Sequence, residues 1–346
     1  MPRLNALPTL LTLAFSALVF ARTPALSEET ITLTVHHFLS PQAVTHKDMI
    51  VPWAKRIEEE SGGRLKFEIF PSMTLGGKAP DLYGQVRDGV ADIVWTLTGY
   101  TPGVFQRAEV FELPGVHRGN AKATNRAIQE LMPEIAADFE DVEPLLVHVH
   151  GGNALHLVAK DVRKIEDLRG LKIRSPSRTG AWMIESWGAE PVGMPVPALP
   201  QALSRNTIDG GLIPFEVAVP LKVADITKHS VELHDGDRFG TSVFLFAMNK
   251  ARFARLPDDL KAIIEQNSGA EFADAMGDLW DEMEPAGKKV ALDAGNTVTA
   301  LGAEESAAFD KAHEAVIERW VESVSKNGIA GQALVEAARA RIGSHM

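Results

Sequence analysis

Residues 65–98 read LKFEIFPSMTLGGKAPDLYGQVRDGVADIVWTLT and indicate the fold class. Leu65 to Phe70 alternates apolar and polar residues as a strand does, and Ala91 to Thr98 is an apolar run typical of a buried strand. Between them, Pro80 to Asp88 predicts a short helix that ends at Gly89. A strand, a helix and a strand at this interval predict a βαβ unit in a parallel sheet.

The segments on either side extend this pattern into two sets of elements, separated by Gly151-Gly152. From Pro257 onward the pattern is almost wholly helical. The other predicted strands are Ile31–Phe38, Pro144–His150, Leu155–Ala159, Lys172–Arg174 and Ser242–Met248, the last of which suits the first sheet. The other predicted helices are His46–Glu60, Asn120–Phe139, Ala181–Trp187 and Leu199–Ser204.

This order predicts an α/β protein of two lobes, with hinge crossings between them and a helical C-terminal region. We assign residues 28–150 and 240–280 to the first lobe. Residues 151–239 and 281–346 are assigned to the second. A small ligand is expected in the cleft between such lobes.

The first 27 residues are typical of a signal peptide. Leu7 to Phe20 is uncharged and largely apolar, but it is shorter than the ~20 residues that span a membrane. Small residues after it allow cleavage behind Ala21 or behind Ala25, and an uncleaved anchor is the alternative. The chain has no cysteine, which suits an oxidising compartment. We therefore expect the mature chain in the periplasm.

Charge limits the classes of partner. The chain has 46 acidic and 35 basic residues, for a net charge of −11. Binding to nucleic acid or anionic lipid needs clustered Lys and Arg, so neither partner is expected. A bound anion would have to be met by local cationic groups.

Several motifs of catalysis are missing from the sequence. It contains no G-x-S-x-G, phosphate loop, H-E-x-x-H or G-x-G-x-x-G. We therefore expect neither an enzyme nor a cofactor. A hydrolase or lyase with His37 or Glu216 as its base remains the alternative, although it lacks an evident nucleophile or metal.

Histidines form two clusters along the chain. Alternate histidines on one strand can bind a metal, but buried histidines with satisfied hydrogen bonds are the preferred interpretation. His37 and Phe38 differ, because they end a strand at the edge where open α/β sheets bind ligands. We take both as candidates for lining the cleft. The clusters are His36, His37 and His46, and His148, His150 and His156.

The segment KIEDLRGLKIRSPS, residues 164–177, contains the strongest candidate for anion binding. A short strand delivers Arg174 to its C-terminal end, and Ser175-Pro176-Ser177 opens the next helix. An arginine there can form a bidentate bond with a carboxylate, and the first amides of the helix add positive potential. The alternative is a surface arginine paired with Asp or Glu.

Aromatic residues near strand ends and loops are further candidates. Tyr100 stands in a loop after a strand and offers a ring with a hydroxyl group. Trp95 lies within a strand, where core packing is the preferred interpretation. For each of these side chains, core packing competes with a place in the cleft. The set is Trp95, Tyr100, Phe105, Trp182 and Phe215.

From the first strand onward, the chain resembles the extracytoplasmic receptors of TRAP transporters, the tripartite ATP-independent periplasmic systems, of the dicarboxylate-receptor (DctP) type. The resemblance implies a periplasmic-binding-protein-like fold, a small organic acid as ligand, and TRAP permease subunits as membrane partners. We expect a monomer, and a sensor-associated binding protein is the alternative role. The matching segments, in order, are GGRLKFEIFPSMTLGG (62–77), DGVADIVW (88–95), IEDLRGLKIRSPS (165–177), TIDGGLIPFE (207–216) and LPDDLKAIIE (256–265).

The resemblance also implies contacts with the ligand. In the family, the arginine of the K-[IL]-R segment pairs with the ligand carboxylate, and Arg174 matches it. An asparagine that frequently binds the ligand aligns with Ile213, and a second arginine of the sialic-acid branch aligns near Ala154. Two polar contacts are therefore missing, which favours a less polar acid than a sugar acid. The candidate set is Arg174, Ile213, Phe215, His37, Phe38, Tyr100, Ser175 and Ala154.

Overall fold

The structure is a computed structural model that describes Met1 and residues 30–346. The predicted signal peptide beyond Met1 lies outside the described residues. Within the described part of the chain, none of the helices combines the length and the apolar character needed to cross a bilayer.

Two mixed sheets organise the described residues. The strands are β1 Ile31–His37, β2 Leu65–Phe70, β3 Ile93–Leu97, β4 Val142–Val149, β5 Ala154–Leu157, β6 Lys172–Ser175, β7 Glu190–Gly193, β8 Gly210–Ile213, β9 His229–Glu232, β10 Val243–Asn249 and β11 Thr297–Ala300. The α-helices are α1 Val51–Glu60, α2 Leu82–Arg87, α3 Ala121–Glu130, α4 Met132–Ile135, α5 Arg178–Ser186, α6 Leu199–Ser204, α7 Phe215–Ala218, α8 Lys250–Ala254, α9 Asp258–Gln266, α10 Ala270–Asp293, α11 Ala303–Ser325 and α12 Gly331–Ser344.

The first lobe is built on the sheet β2-β1-β3-β10-β4. Strand β1 runs parallel to β2 and β3, as the βαβ pattern predicts. Strand β10 returns from far along the chain and lies antiparallel between β3 and β4. It belongs to the first sheet as expected from its apolar sequence, but its direction makes that sheet mixed rather than parallel.

The second lobe is built on the sheet β11-β9-β5-β8-β6-β7. Strand β6 is parallel to β7 and β8, whereas β5 is antiparallel to β8 and β9. The predicted all-helical C-terminal region contains β11, which pairs with β9. Strand β11 has only four residues, which is too short for an alternating pattern to be recognised between the long helices on either side. The predicted helix Asn120–Phe139 is also broken, because Pro133 follows the end of α3.

Three segments join the lobes. Two of them, residues 150–153 and 240–242, lie side by side, since the Asn153 amide donates to the Gly240 carbonyl at 2.8 Å. We call these two segments the crossings. The third is α10, a continuous helix that packs against α3 in the first lobe and against α7 in the second.

Two features differ from the predicted division of the chain. The boundary at residue 280 falls inside α10 rather than between elements. Helix α12 was assigned to the second lobe, but it packs against α3 of the first. Its buried residues Val335 and Ala338 belong to the large hydrophobic core around the first sheet. Helical periodicity shows which residues of such a helix are buried, but not which lobe covers them.

The contact between α3 and α10 brings their backbones close together. Gly277 lies at this contact, and a Cβ atom added there would stand 2.9 Å from the Lys122 amide nitrogen. The Asp281 carboxylate of α10 accepts hydrogen bonds from the amides of Ala121 and Lys122, at 2.7 and 3.0 Å. These bonds satisfy free amides at the start of α3 and fix its position on α10.

We expect Gly277→Ala to lower the free energy of unfolding by about 1–3 kcal/mol, because the methyl group has no room beside Lys122. The matched control is Gly84→Ala in α2, where an added Cβ meets nothing within 4 Å. That change should stabilise the protein by about 0.5–1 kcal/mol through helix propensity. Urea denaturation of both variants measures the difference. Equal effects of the two substitutions would contradict this account of the contact.

Candidate ligand-binding cavity

A cavity lies between the two sheets, with about 430 Å³ of space free of atoms when its open mouth is included. The first lobe contributes mainly aromatic side chains to its wall, and the second contributes an arginine and aliphatic side chains. The lining residues are Phe38, Leu39, Thr45, Trp95, Leu97, Tyr100, His148, His150, Asn153, Arg174, Val196, Ile213, Pro214, Glu216, Val217, Ser242, Phe244 and Trp280.

Arg174 is the cationic group of the cavity. Strand β6 carries it into the interior, where the residue is 2% exposed. Its Nε donates to the Met194 carbonyl at 3.0 Å and its Nη1 to the Leu212 carbonyl at 2.9 Å. These bonds to carbonyl groups orient the guanidinium but leave its charge unbalanced. Among the described residues, no carboxylate forms an ion pair with it.

An unpaired buried cation is unfavourable, because it has lost water without gaining an anion. Burial lowers the pKa of the Arg174 guanidinium below its usual value. Arginine nevertheless stays protonated in proteins. The group can therefore be balanced by an anion that enters the cavity, and a carboxylate matches its planar donors.

Tyr100 places a hydroxyl group beside this cation. Its oxygen accepts a hydrogen bond from the Val196 amide at 2.8 Å and lies 3.5 Å from Arg174 Nη2. Burial raises the pKa of the Tyr100 phenol, so the group remains neutral. Because the oxygen acts as acceptor in both contacts, its own proton can be donated to an anion held by Arg174.

Aromatic rings form a continuous wall on the first lobe. Phe244 stacks on Trp95 with ring centroids 4.6 Å apart and planes 9° apart. Phe38 packs against Trp95 at 5.0 Å and against Tyr100 at 5.4 Å. Trp280 of α10 stacks on His148 at 6.0 Å. This wall offers flat apolar surface to the body of a ligand.

His148 completes the wall as a neutral ring. Trp95 Nε1 donates to its Nε2 at 3.0 Å, and its Nδ1 lies 3.0 Å from the Val149 carbonyl oxygen and 3.3 Å from Trp280 Nε1. Because Nε2 accepts, the proton of the neutral imidazole is on Nδ1, where the Val149 carbonyl accepts it. Burial lowers the pKa of His148 to about 4. The histidine therefore orients Trp95 without adding charge to the cavity.

The lobes touch across the mouth of the cavity. Arg178, at the start of α5, forms an ion pair with Glu109 of the first lobe. The next residue, Thr179, donates to Glu112 at 3.0 Å. Gly99 packs directly on the second lobe, since an added Cβ would lie 2.6 Å from Ser177 Cβ. Together with the bond from Val196 to Tyr100, these contacts make the arrangement a closed one.

The profile of the bacterial extracellular solute-binding protein family 7, DctP, matches residues 35–323. The chain belongs to this family. Solved structures also match the whole arrangement. A marine metagenome TRAP solute-binding protein specific for aromatic acid ligands, solved with metahydroxyphenylacetate, is 39% identical with a TM-score of 0.89, over 91% of this chain and 99% of that one.

Two further relatives cover nearly the full length of their own chains. A TRAP solute-binding protein from Rhodoferax ferrireducens T118, solved with copurified benzoate, is 42% identical with a TM-score of 0.88, over 91% of this chain and 98% of that one. The outer membrane transporter protein TsaT of Comamonas testosteroni is 26% identical over 95% of this chain and 97% of its own. The two-lobed α/β fold is thereby confirmed, as is the function of a TRAP receptor working with membrane subunits.

Four of the predicted ligand contacts line the cavity of this receptor. Arg174 and Ile213 come from the second lobe, and Phe38 and Tyr100 come from the first. Ile213 contributes an aliphatic side chain to the wall. The structure brings these four residues together, and their contact with a ligand stays a prediction.

The other four predicted contacts do not line the cavity. His37 is turned to the other side of β1 from Phe38 by strand alternation, and its Nε2 bonds His46 Nδ1 at 3.0 Å. The Ser175 hydroxyl donates to the Ser177 carbonyl at 2.7 Å. Ala154 and Phe215 pack together in a small separate core. Chain proximity to Arg174 or Ile213 therefore does not give access to the cavity.

Of the remaining aromatic candidates, one lines the cavity and two do not. Trp95 lines the cavity, although core packing was the preferred interpretation. Phe105 is a core residue that packs against Tyr83 and Phe139. Trp182 does not line the cavity; the guanidinium groups of Arg178 and Arg319 lie 4.8 and 4.4 Å from the centroid of its ring.

Sequence reasoning missed Phe244 and Trp280 as lining residues. Phe244 alternates on β10 with Phe246, which packs against Trp53 on the opposite face of the sheet. The alternation was visible in the sequence, but the face that carries the cavity was not. Trp280 lies in a long helix whose contact with both lobes leaves no local pattern.

Burial keeps several of the histidines neutral. Among the described residues, no group of three or more histidine and acidic side chains is arranged to hold a metal ion. Burial lowers the pKa of His37, His117 and His150 to about 3, and that of His148, His156 and His313 to about 4.

Proposed function

We propose that this receptor binds small aromatic carboxylates in the periplasm, as a monomer, and delivers them chemically unchanged to the TRAP membrane subunits. One observation carries the proposal: a closed cavity that combines an unpaired buried arginine with a wall of aromatic rings. The first feature selects an anion, and the second selects a flat apolar body. A benzoate-like acid has both.

The energetics favour such a ligand. The carboxylate balances the buried charge of Arg174 and accepts the proton of Tyr100. The ring replaces water against Phe38, Trp95 and Phe244, with a gain of about 25 cal/mol for each Å² of apolar surface buried. Stacked or edge-on contacts between rings add about 0.5–1.5 kcal/mol.

A polyhydroxylated acid fits the same cavity less well. The second lobe lines it with Val196, Ile213, Pro214 and Val217, which offer no side-chain hydrogen bonds. Each hydroxyl group buried against such residues would lose water without a partner, at about 1–3 kcal/mol. The bound ligands of the marine and Rhodoferax relatives, metahydroxyphenylacetate and benzoate, agree with this preference.

The hydrolase alternative loses one of its two candidate bases. His37 lies outside the cavity and is bonded to His46, so it cannot reach a ligand held by Arg174. Glu216 does line the cavity, but a lone carboxyl group there supports binding as readily as catalysis.

Isothermal titration calorimetry with the mature protein tests the ligand class. We expect benzoate and meta-hydroxybenzoate to bind, and glucuronate and sialic acid to bind at least about a hundredfold more weakly, because two unpaired hydroxyl groups already give this factor. Mass spectrometry should recover the bound acid unchanged. If the sugar acids alone bind, or if a product forms, the proposed function is wrong.

Arg174→Ala should weaken benzoate binding by about 2–5 kcal/mol, because the carboxylate would be buried without its partner. The benzoate affinity of Arg174→Lys should lie between those of wild type and Arg174→Ala, because lysine keeps the charge but lacks the planar pair of donors. The control is Arg169→Ala, which removes the same charge from an exposed position on the preceding turn. Calorimetry of the three variants gives the comparison, and benzoate affinity within threefold of wild type in Arg174→Ala would refute the assignment.

Closure of the lobes should be sensitive to Gly99. An alanine there would place Cβ 2.6 Å from Ser177 Cβ and 3.2 Å from the Pro176 carbonyl oxygen. We expect Gly99→Ala to weaken benzoate binding about tenfold or more, because overpacking against Ser177 and Pro176 of the second lobe costs about 1–3 kcal/mol in the closed form. The added Cβ also lies 2.8 Å from Leu97 Cδ2 of its own lobe, so the Leu97 side chain has to move in both forms. Gly193→Ala, whose Cβ meets nothing within 4 Å, is the control. Equal affinities of the two variants would contradict this view of closure.

A further inference from the structure

Four polar residues near the crossings line the cavity and have a side-chain polar atom without a hydrogen-bond partner. They are His150, Asn153, Glu216 and Ser242, which are 5%, 3%, 6% and 1% exposed. Within the described chain, no hydrogen bond reaches His150 Nε2, the Asn153 amide group, the Glu216 carboxyl group or the Ser242 hydroxyl group. We call these four residues the hinge-end group.

The backbone holds the members of this group close to one another. His150 and Asn153 lie on one crossing and Ser242 lies on the other, and the Thr241 hydroxyl donates to the His150 carbonyl at 3.2 Å. The Glu216 amide donates to Glu284 of α10 at 2.9 Å. Glu284 in turn lies beside the first crossing, because its Cδ would be 2.8 Å from a Cβ added to Gly151.

The hydrogen-bonding character of two members is defined by their surroundings. His150 Nδ1 donates to the Gly151 carbonyl, which leaves Nε2 as an acceptor. Burial is the main reason that the pKa of Glu216 is raised well above its usual value, and the nearby Glu284 carboxylate raises it further. A protonated Glu216 offers one donor and one acceptor and does not repel an anion bound to Arg174.

A neutral group that both donates and accepts fits this arrangement. We propose, on the basis of the aromatic-acid function proposed above, that the hinge-end group is a subsite for a hydroxyl substituent on the ligand ring. The hydroxyl donates to His150 Nε2 and accepts from the Glu216 carboxyl group, while Asn153 and Ser242 complete its surroundings. The receptor therefore prefers hydroxylated aromatic acids to unsubstituted ones.

The preference follows from the cost of leaving buried polar groups without partners. Benzoate brings only a C–H edge to the hinge-end group, so His150 and Glu216 stay unpaired in the closed cavity. A correctly placed hydroxyl pairs both. A site built around such hydrogen bonds discriminates strongly against the analogue that lacks the group.

Titration calorimetry with benzoate and with the ortho-, meta- and para-hydroxybenzoates tests the subsite. We expect at least one hydroxybenzoate to bind the wild-type protein about tenfold or more tightly than benzoate. Glu216→Leu should abolish this ratio, because the hydroxybenzoates lose a hydrogen-bond partner that benzoate does not use. Glu216→Gln keeps a neutral donor and acceptor at the same place and should retain most of the ratio.

Val217→Ala is the matched control, because Val217 is the neighbouring lining residue and is apolar. It should weaken benzoate and the hydroxybenzoates by the same factor. The unfolding temperature and the benzoate affinity of each variant report whether the cavity is intact.

Three results would overturn the subsite while the proposed function stands. Wild-type protein that binds benzoate as tightly as every hydroxybenzoate would show that the hinge-end group makes no contact with a hydroxyl. A Glu216→Leu variant that weakens all four acids equally would make Glu216 a structural residue. Loss of the ratio in Glu216→Gln as well would show that a neutral hydrogen-bonding group is not sufficient. If none of the four acids binds wild-type protein, the proposed function itself fails, and the subsite fails with it.

Discussion

A guanidinium group buried without an anion is the constraint on which the cavity depends. Arg174 is held by the carbonyl groups of Met194 and Leu212, which fix its position but cannot balance its charge. In the closed arrangement it has little water as well, so the closed form is unfavourable until an anion enters. The same electrostatic term thus supplies affinity and couples binding to closure, because the ligand stabilises the closed state more than the open one.

The division of labour between the lobes follows from this constraint. The second lobe supplies the charge and an aliphatic surface, and the first supplies rings whose orientation is set by stacking and by the bond from Trp95 to His148. Neither half alone distinguishes an aromatic acid from other anions or from other apolar molecules. Selectivity arises only when the two surfaces meet. Tyr100 of the first lobe then accepts hydrogen bonds from the Arg174 side chain and from the Val196 amide of the second.

Local patterns in the sequence predicted much of the fold and only part of the cavity. The βαβ unit of residues 65–98 and the apolar strand β10 were recognisable, because periodicity and glycine breaks are local properties. Strand β11 and the packing of α12 on the first lobe were not, since a four-residue strand and the partner of a helix leave no local signal. Arg174 was identified from its place at a strand end. Long-range packing brings together Phe244, Trp280 and the polar side chains on the crossings, so no local pattern marks them. His37 was expected in the cavity, but it lies on the face of β1 opposite to Phe38, because neighbouring residues of a strand point to opposite faces.

The buried histidines have a consequence for acid tolerance. An unfolded chain takes up protons on histidine as the pH falls through 6.5, but the pKa values of His37, His148 and His156 in the fold are only about 3 or 4. Acidification below pH 6.5 therefore favours the unfolded state, which binds more protons there. Glu112, Glu216 and Glu284 act in the opposite direction, because burial raises their pKa values and the folded state therefore binds more protons on them than the unfolded chain does. The response of the receptor to mild acid is therefore set by the balance between these two kinds of buried group in the scaffold, while the charge of Arg174 is unchanged.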